Sequence, residues 1–246
     1  MTQDAPSTVA HCIPPIFPRY VKILHPIYED LSVQNEDLTW QDDAGVKPAV
    51  SQTEIGQIIQ DALSRSTLVY GGVEPGSHPV RIRWAELARR LGMPFAPTLS
   101  SWSFTRRFPG GSWPRRLIGP DEGTLASVER DALISVLRRH TNPDRCFFHF
   151  WYLATSEWTE DLLFEGSLND AGQFPDEAPN VRCTPTHWFP QDRSWLVCTD
   201  YDSTFTLVGG PERLICELLD HRALEGVAVQ PGTRVDCEAD LENSIR

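Results

Sequence analysis

The segment 188–225 constrains the fold of this chain more than any other part, because it reads as strand, tight turn, strand, diglycine and helix without interruption. From residue 195 to 201 the side chains follow a period of two, and the run 204–208 is rich in β-branched and aromatic residues. Such a pair of runs predicts a β-hairpin. After Pro211, leucine and isoleucine recur at helical spacing, which predicts a helix.

The hairpin turn decides which residues face each other. If the turn is centred just after Asp202, Cys198 lies opposite Leu207 and Asp200 lies opposite Phe205. Asp200 then ends an otherwise apolar face, and two interpretations of its carboxylate stay open. It accepts hydrogen bonds of the turn and is partly solvated, or it is desolvated, with a raised pKa suited to a general acid or base. Asp202 is a second candidate beside it.

A diglycine before a helix also occurs in phosphate-binding loops. Here Pro211 removes one amide donor, Glu212 adds negative charge, and no Lys or Ser/Thr follows at the spacing of a P-loop. We therefore expect the two glycines to form a sharp corner. We predict no nucleotide or other cofactor at this place.

The remaining elements indicate an α+β fold with a single mixed or antiparallel sheet, several packed helices and long loops. We interpret residues 1–246 as one domain, since there is no internal repeat and no convincing linker. Periodicity predicts helices at 53–66, 84–91 and 124–140, and strands at 16–24, 145–153 and 162–168. Long loops are expected at 34–51 and 93–121, and an acidic C-terminal tail at 233–246.

Charge is distributed unevenly along the chain. Residues 1–78 and 157–246 carry net charges of −6 and −12, whereas residues 79–156 hold twelve arginines and six acidic residues, a net charge of +6. This basic third is a candidate for contact with nucleic acid or another anion. The net charge of −12 for the whole chain argues against non-specific duplex binding. We favour the alternative that these arginines pair with the acidic flanks inside one fold.

The loop 93–121 is the part of the basic third with the most distinctive composition, since arginines alternate with aromatic residues in a stretch rich in Pro and Gly. Long loops of this kind are often functional. Arginine and aromatic side chains together stack on bases or bind an acidic group. The candidate residues for binding an anion or a partner are Trp102, Arg106, Arg107, Trp113, Arg115 and Arg116.

Other chemical motifs are weak. His149 lies in an aromatic strand pattern, where a lone histidine is more often a hydrogen-bonded core or pocket residue than a catalytic one. Cys183 and His187 have a metal-like spacing, but zinc needs three or four ligands and no second pair follows, so we predict no metal site. The sequence contains no GxSxG, HExxH or GxGxxG motif.

Composition bears on location. No run approaches the roughly 20 apolar residues of a membrane span, and the N-terminus lacks the basic start and apolar core of a signal peptide. The six cysteines are scattered singly, which is more typical of reduced thiols than of a disulfide framework. We therefore expect a cytoplasmic protein without membrane contact.

Three stretches resemble a family of bacterial proteins, chiefly actinobacterial, for which no activity is established. They are LLFEGSL at 162–168, WFPQDRSWLVCTDYDSTFTLVGG at 188–210 and RRHTNPDRCFFHFWY at 138–152. The family is marked by a similar acidic-aromatic hairpin, W-x-P-x-D-R-x-W, that ends in V-G-G before a helix. The resemblance implies a single fold and a cytoplasmic location, and it assigns no catalytic residue.

Two classes of function stay open. The first, which we favour, is a non-catalytic binding or regulatory protein, such as an immunity-type inhibitor, whose acidic surfaces contact a basic protein partner. The second is a small enzyme or ligand-binding protein with a pocket formed by His149, Asp200, Asp202 and arginines of the segment 102–116. This second hypothesis requires these groups to converge within hydrogen-bond reach.

Overall fold

The computed structural model describes residues 6–43, 79–142, 145–156, 158–174, 181 and 183–241. The helix that the sequence predicts at 53–66 lies outside these residues. The described helices are α1 (Val9–Cys12), α2 (Trp40–Asp43), α3 (Trp84–Arg90), α4 (Ser101–Thr105), α5 (Ser127–Leu137) and α6 (Glu212–Leu219). The described strands are β1 (Arg19–Leu24), β2 (Ile27–Glu29), β3 (Val80–Ile82), β4 (Leu117–Ile118), β5 (Cys146–Phe150), β6 (Leu162–Gly166), β7 (His187–Pro190), β8 (Leu196–Cys198), β9 (Phe205–Gly210) and β10 (Gly226–Val229).

A seven-stranded antiparallel sheet organises the molecule, with strands in the order β10–β1–β9–β8–β7–β5–β6. The prediction of an α+β fold with an antiparallel sheet is confirmed. A second antiparallel sheet, in the order β3–β2–β4, accompanies it. No periodicity indicates this small sheet, because strands of two or three residues are too short to show it.

Both faces of the main sheet are covered, and each contributes to its own hydrophobic core. In β1, Val21 and Ile23 belong to one core, which contains α5 and α6. Tyr20 and Leu24, on the opposite face, belong to a second core that contains Val9 of α1, the small sheet, α3 and α4. Alternation along a strand thus separates the two cores, since successive side chains point to opposite faces.

The predicted hairpin is formed by β8 and β9, and its register is the predicted one. Cys198 pairs with Leu207, and Val197 pairs with Val208. However, β8 ends at Cys198, and the turn is closed by a hydrogen bond from the Ser203 N–H to the Asp200 carbonyl at 3.0 Å. Asp200 therefore lies in the turn and does not face Phe205 within the ladder.

The two glycines before α6 have a different role from the predicted sharp corner. Gly209 and Gly210 are the last residues of β9. A Cβ on Gly209 would lie 2.6 Å from the Phe17 ring, and one on Gly210 would lie 2.8 Å from the Leu214 side chain. Only a residue without a side chain leaves room for these neighbours.

Helix α6 begins after Pro211, as predicted. Leu214, Ile215 and Leu218 are buried along one side, which packs against β1, β9 and β10. The sequence therefore locates this helix and its buried side correctly.

Several element boundaries differ from prediction. Strand β1 begins at residue 19 rather than 16, directly after Pro18, which has no N–H for a ladder. Helix α5 begins at residue 127 rather than 124, because Ala126 has extended backbone angles. Strand β5 ends at residue 150 rather than 153, where a short 3₁₀ helix, Tyr152–Ala154, begins.

The expected long loops contain regular structure. The segment 93–121 includes α4, a 3₁₀ turn at Pro109–Gly111 and β4, and the described part of 34–51 includes α2. In the expected C-terminal tail, Ala239 is buried and the Val235 N–H donates to the Ser7 carbonyl at 3.0 Å. These segments cover the second core, so hydrophobic contacts order them.

Candidate functional site

Three polar side chains form a row across one face of the main sheet. His149 of β5 pairs with His187 of β7, and His187 pairs with Cys198 of β8. Directly paired residues of neighbouring strands place their side chains on the same face. The row therefore results from strand pairing between residues that are far apart in the sequence. It lies on the face of the second core, to which Cys198 belongs.

The two histidines are linked by hydrogen bonds to each other and to two further groups. Nδ1 of His149 lies 3.2 Å from Nδ1 of His187, and the rings are stacked with centroids 5.5 Å apart. Nε2 of His187 lies 3.3 Å from the carbonyl oxygen of Cys12. Nε2 of His149 lies 3.1 Å from a carboxylate oxygen of Asp161, whose other oxygen accepts the Tyr152 N–H at 2.9 Å.

These contacts determine where the protons lie. A carbonyl oxygen can only accept, so Nε2 of His187 carries a proton that it donates to Cys12, and in neutral His187 Nδ1 is an acceptor. Nδ1 of His149 then donates to His187, and Nε2 of His149 donates to the carboxylate of Asp161. All contacts are satisfied when one of the two rings is neutral and the other carries a proton on both nitrogens, and a neutral His187 is one such state.

The pKa of His187 agrees with this assignment. Burial lowers it, and the neighbouring His149 lowers it further, while the hydrogen bond to the Cys12 carbonyl opposes the shift. Burial therefore favours the neutral form of His187. Because all four ring nitrogens have partners within the protein, proton transfer to a bound molecule requires the hydrogen bond between the two rings to open.

The histidine pair borders an open cavity of about 470 Å³. Strands β5 to β8 supply one wall, and the segment that includes the end of α1 supplies the other. Its lining residues are Ala10, His11, Cys12, Pro14, His149, Leu163, His187, Phe189 and Leu196. The walls are mainly apolar, and the three histidines and the cysteine supply the polar groups, which is the usual composition of a small-molecule site.

His11 adds a hydrogen-bond donor at this cavity. Its Nδ1 accepts the Thr8 N–H at 3.0 Å as part of a capping box at the start of α1. Neutral His11 therefore carries its proton on Nε2, the nitrogen that the cap does not use. This N–H belongs to a residue that lines the cavity.

The half-buried Cys12 packs against the second core, to which Cys198 belongs. Its interaction with the Cys198 thiol lowers the pKa of Cys12, against the opposing effects of burial and of the charges on Asp200 and Asp202. The same interaction, together with burial, raises the pKa of Cys198 well above its ordinary value.

Asp200 and Asp202 lie near this site but do not form part of the histidine network. The carboxylate of Asp200 accepts the Tyr201 N–H at 2.7 Å, and the carboxylate that His149 contacts is that of Asp161. Burial raises the pKa of both carboxyl groups, and the charge of Asp200 raises that of Asp202 further. Both interpretations of Asp200 thus hold in part, because it is a turn acceptor and it is desolvated.

Aromatic side chains adjoin these carboxylates. The ring of Trp151 lies 5.1 Å from that of Tyr152 and 5.9 Å from that of Tyr201. Asp202, Asp200 and Glu122 all raise the pKa of Tyr201, after burial, which is the largest cause. We call this surface the acidic–aromatic patch; it consists of Glu122, Trp151, Tyr152, Asp200, Tyr201 and Asp202.

The candidate arginines of the segment 93–121 lie outside the cavity lining and are largely held by internal partners. Arg106 forms an ion pair with Asp240 and donates to the Cys237 carbonyl at 2.9 Å. Arg116 forms ion pairs with Glu29 and Glu36, each at 3.0 Å. The expectation that the basic third pairs with acidic flanks is confirmed for these two residues, which leaves them less available to nucleic acid.

The other candidates of this segment also differ in their surroundings. The guanidinium of Arg115 is buried and lies 4.0 Å from the centre of the Trp40 ring. Trp113 packs against the second core, and its Nε1 donates to the Thr105 hydroxyl at 2.8 Å. Trp102 and Arg107 are exposed. These residues therefore do not come together as one binding surface.

Sequence reasoning missed Cys12 and Asp161, and it treated His187 only as half of a metal motif. Among the residues described, no group of three or more His, Cys, Asp or Glu side chains is placed to hold a metal ion. The sequence did contain a signal for His187. In β7 it lies next to the buried Trp188, just as His149 lies next to the buried Phe148 in β5, so both histidines belong to the face opposite these aromatic residues. No sequence signal connects Cys12 to these strands, because their contact depends on the tertiary fold.

Comparison with protein-family models found no match, and no curated protein or solved structure is significantly similar to this chain. The resemblance to actinobacterial proteins stays a prediction. Within the described ranges, none of the helices has the length and apolar character needed to cross a membrane.

Proposed function

We propose that this protein binds a small molecule in the cavity between α1 and the strands β5 to β8, and that His149 and His187 exchange a proton with it when the hydrogen bond between the two rings opens. One observation supports the proposal above all. Polar groups of two distant segments, His11 and Cys12 on one side and His149 and His187 on the other, converge on a cavity with apolar walls. Convergence of this kind is the usual basis for a binding-site hypothesis.

The chemistry of the cavity favours a ligand with an apolar body and an anionic group. Leu163, Phe189 and Leu196 offer contacts to hydrocarbon. The N–H of His11 is a donor for a carboxylate or a similar acceptor, and an imidazolium at the His149–His187 pair would attract the same group. A short alkyl carboxylate combines the two features.

Hexanoate is a suitable probe, with hexanol as the matched neutral molecule. We expect hexanoate to shift the ring signals of His11, His149 and His187 in NMR spectra in a saturable way, and hexanol to bind more weakly. The substitution His149→Gln should weaken hexanoate binding about tenfold, the usual effect of losing one charge-assisted contact.

His221→Gln provides the control, since His221 follows α6 on the other face of the sheet and should leave the affinity unchanged. Equal affinities for hexanoate in the His149→Gln protein and the wild type would contradict the proposal.

A second candidate function is the recognition of a basic protein segment by the acidic–aromatic patch. The specific observation is that burial raises the pKa of Glu122, Asp200 and Asp202, while no cation within the described residues contributes to lowering it. Cationic side chains bind favourably to desolvated carboxylates and to aromatic faces. This second candidate is a more specific form of the hypothesis, made from the sequence, that the protein contacts a basic partner.

An arginine-rich peptide with a fluorescent label tests this second candidate. The double substitution Asp200→Asn and Asp202→Asn should weaken binding and reduce its dependence on salt. Asp131→Asn is the control, because Asp131 is an exposed residue of α5 on the other face. Equal binding by all three proteins would exclude the patch as the contact.

A cytoplasmic location is part of the same proposal. All six cysteines lie in the described residues, and none of them is in a disulfide. Reduced thiols are typical of the cytosol.

A further inference from the structure

Four ring-bearing side chains form a two-by-two array on the face of the main sheet that borders the cavity. Phe147 and His149 alternate along β5, and strand pairing places Phe189 and His187 of β7 directly beside them. All four are half-buried, whereas Phe148, which lies between the two rings of β5, is completely buried in the first core. Three members of this array line the cavity, and we call them the cavity floor: His149, His187 and Phe189.

Both ring pairs of the array are stacked across the strands. The centroids of Phe147 and Phe189 lie 5.6 Å apart with ring planes at 27°, and those of His149 and His187 lie 5.5 Å apart with planes at 20°. Because the faces of each pair are turned towards each other along the sheet, the ring edges point away from the sheet. Ring edges carry partial positive charge, and ring faces carry partial negative charge. The cavity floor therefore presents positive edges.

The opposite wall of the cavity is formed by the segment around the end of α1, where Ala10, Cys12 and Pro14 are lining residues. The two walls meet at one point, since Nε2 of His187 lies 3.3 Å from the Cys12 carbonyl oxygen. A cavity that closes between a sheet and a helix in this way favours a flat molecule that lies parallel to the sheet, because such a molecule contacts both walls at once.

We propose that the ligand of this cavity is a planar aromatic acid. Its ring face lies on the edges of His187 and Phe189, and its carboxylate accepts the Nε2 proton of His11, whose Nδ1 is used in the cap of α1. The inference rests on the proposed function and deepens it, because it names one class of molecule within the broader group of apolar anions.

The charge of its ring face distinguishes an aromatic acid from a saturated acid of similar outline. An aromatic ring that lies on the positive edges of the cavity floor gains edge-to-face contacts. A saturated ring presents only C–H groups of positive partial charge and gains none. Such contacts increase affinity about two- to tenfold beyond the effect of the buried area. The cavity floor should therefore select aromatic ligands.

Naphthoate and its fully saturated counterpart, decalin carboxylate, separate this effect from apolar burial and from charge. We expect the full-length wild type to bind naphthoate about fivefold more tightly in calorimetric titrations. In NMR spectra the edge protons of Phe189 and His187 should move upfield when naphthoate binds, because they enter the shielding region over the ligand ring. The saturated acid should cause no such shift.

The substitution Phe189→Leu tests the cavity floor directly, since leucine keeps an apolar side chain but has no ring. In this variant the preference for naphthoate over the saturated acid should be lost. Phe95→Leu is the matched control, because Phe95 is an exposed ring outside the cavity lining, and this variant should keep the preference of the wild type.

Equal affinities of the wild type for the two acids, or an undiminished preference in the Phe189→Leu protein, would show that the cavity floor does not select aromatic rings. Binding of hexanoate would in that case still support the proposed function. If hexanoate, naphthoate and the saturated acid all fail to bind, the proposed function is wrong and this inference is wrong with it. The comparison in the wild type decides the question even if the Phe189→Leu protein does not fold.

Discussion

The carboxylate of Glu225 accepts a hydrogen bond from the backbone N–H of Trp84 at 2.9 Å, and its other oxygen accepts the N–H of Ala85 at 3.0 Å. These amides begin α3, where Arg83 at the cap position provides no side-chain acceptor. A residue 141 positions away thus caps the helix. The contact connects the C-terminal segment to the basic third and shows how a buried acid is stabilised by helix amides.

The substitution Glu225→Ala should lower the free energy of unfolding by about 1–3 kcal/mol, since it removes two charge-assisted hydrogen bonds from a buried helix end. Urea denaturation measures the effect. Glu212→Ala is the control, because Glu212 forms an exposed ion pair with Arg19 and such pairs contribute little. Equal effects of the two substitutions would show that the cap does not stabilise the fold.

Arg81 and Glu129 form an ion pair at 2.6 Å in which the carboxylate is almost completely buried. Replacing Arg81 by Met leaves that charge without its partner, so the free energy of unfolding should fall by about 3–5 kcal/mol. The double variant Arg81→Met and Glu129→Leu should recover much of the loss. A double-mutant cycle provides the test, and additive effects would show that the pair is not coupled.

His25 should make the protein sensitive to acid. Burial lowers its pKa from 6.5 to about 4, although its contact with the Asp121 carbonyl opposes the shift. Between these values the unfolded chain binds a proton that the folded protein does not, so the free energy of unfolding falls as pH decreases. The loss reaches about 3 kcal/mol at pH 4.

The His25 effect is isolated by comparing urea denaturation of the wild type and His25→Gln between pH 7 and pH 4. The variant should lose less stability over this range. Parallel curves for the two proteins would mean that His25 does not titrate differently on unfolding.

Lys22 should make the free energy of unfolding depend on pH in the alkaline range. Its amine donates to the carbonyls of Pro97 at 2.5 Å and Leu99 at 2.8 Å, yet burial lowers its pKa from 10.5 to about 7. Above pH 7 the unfolded chain keeps a proton that the folded protein has lost. The free energy of unfolding therefore rises with pH, by up to about 1.4 kcal/mol per unit.

For Lys22 the comparison is with Lys22→Met, which keeps a similar chain length without a titrating group. The difference between the two proteins should change steadily from pH 7 to pH 10 in urea denaturation. A constant difference would contradict the assigned cause.

Local patterns in the sequence predicted the elements whose conformation is set by residues close together in the chain. The register that pairs Cys198 with Leu207 followed from a short turn between two apolar runs. The buried side of α6 followed from leucine spacing. Both depend on contacts over a few residues, which the order of side chains records directly.

The candidate site was predicted less completely. His149 was identified from its place in an aromatic strand, and the raised pKa of Asp200 was one of its two interpretations. The carboxylate that contacts His149 is that of Asp161, a residue that the sequence did not single out. Which acid reaches a histidine depends on how the 3₁₀ turn after β5 folds back, and no period in the sequence records this.

By itself, the sequence determined the α+β class, the β8–β9 hairpin and the separation of apolar side chains between the two faces of a strand. Tertiary structure alone decided that β5 lies beside β7, which brings His149 to His187, and that α1 returns to the sheet, which brings the Cys12 carbonyl to His187. The physical reason is the separation of these residues along the chain. Alternation and helical spacing act between near neighbours, whereas these contacts join residues 38 and 175 positions apart and are selected by the burial of both cores together.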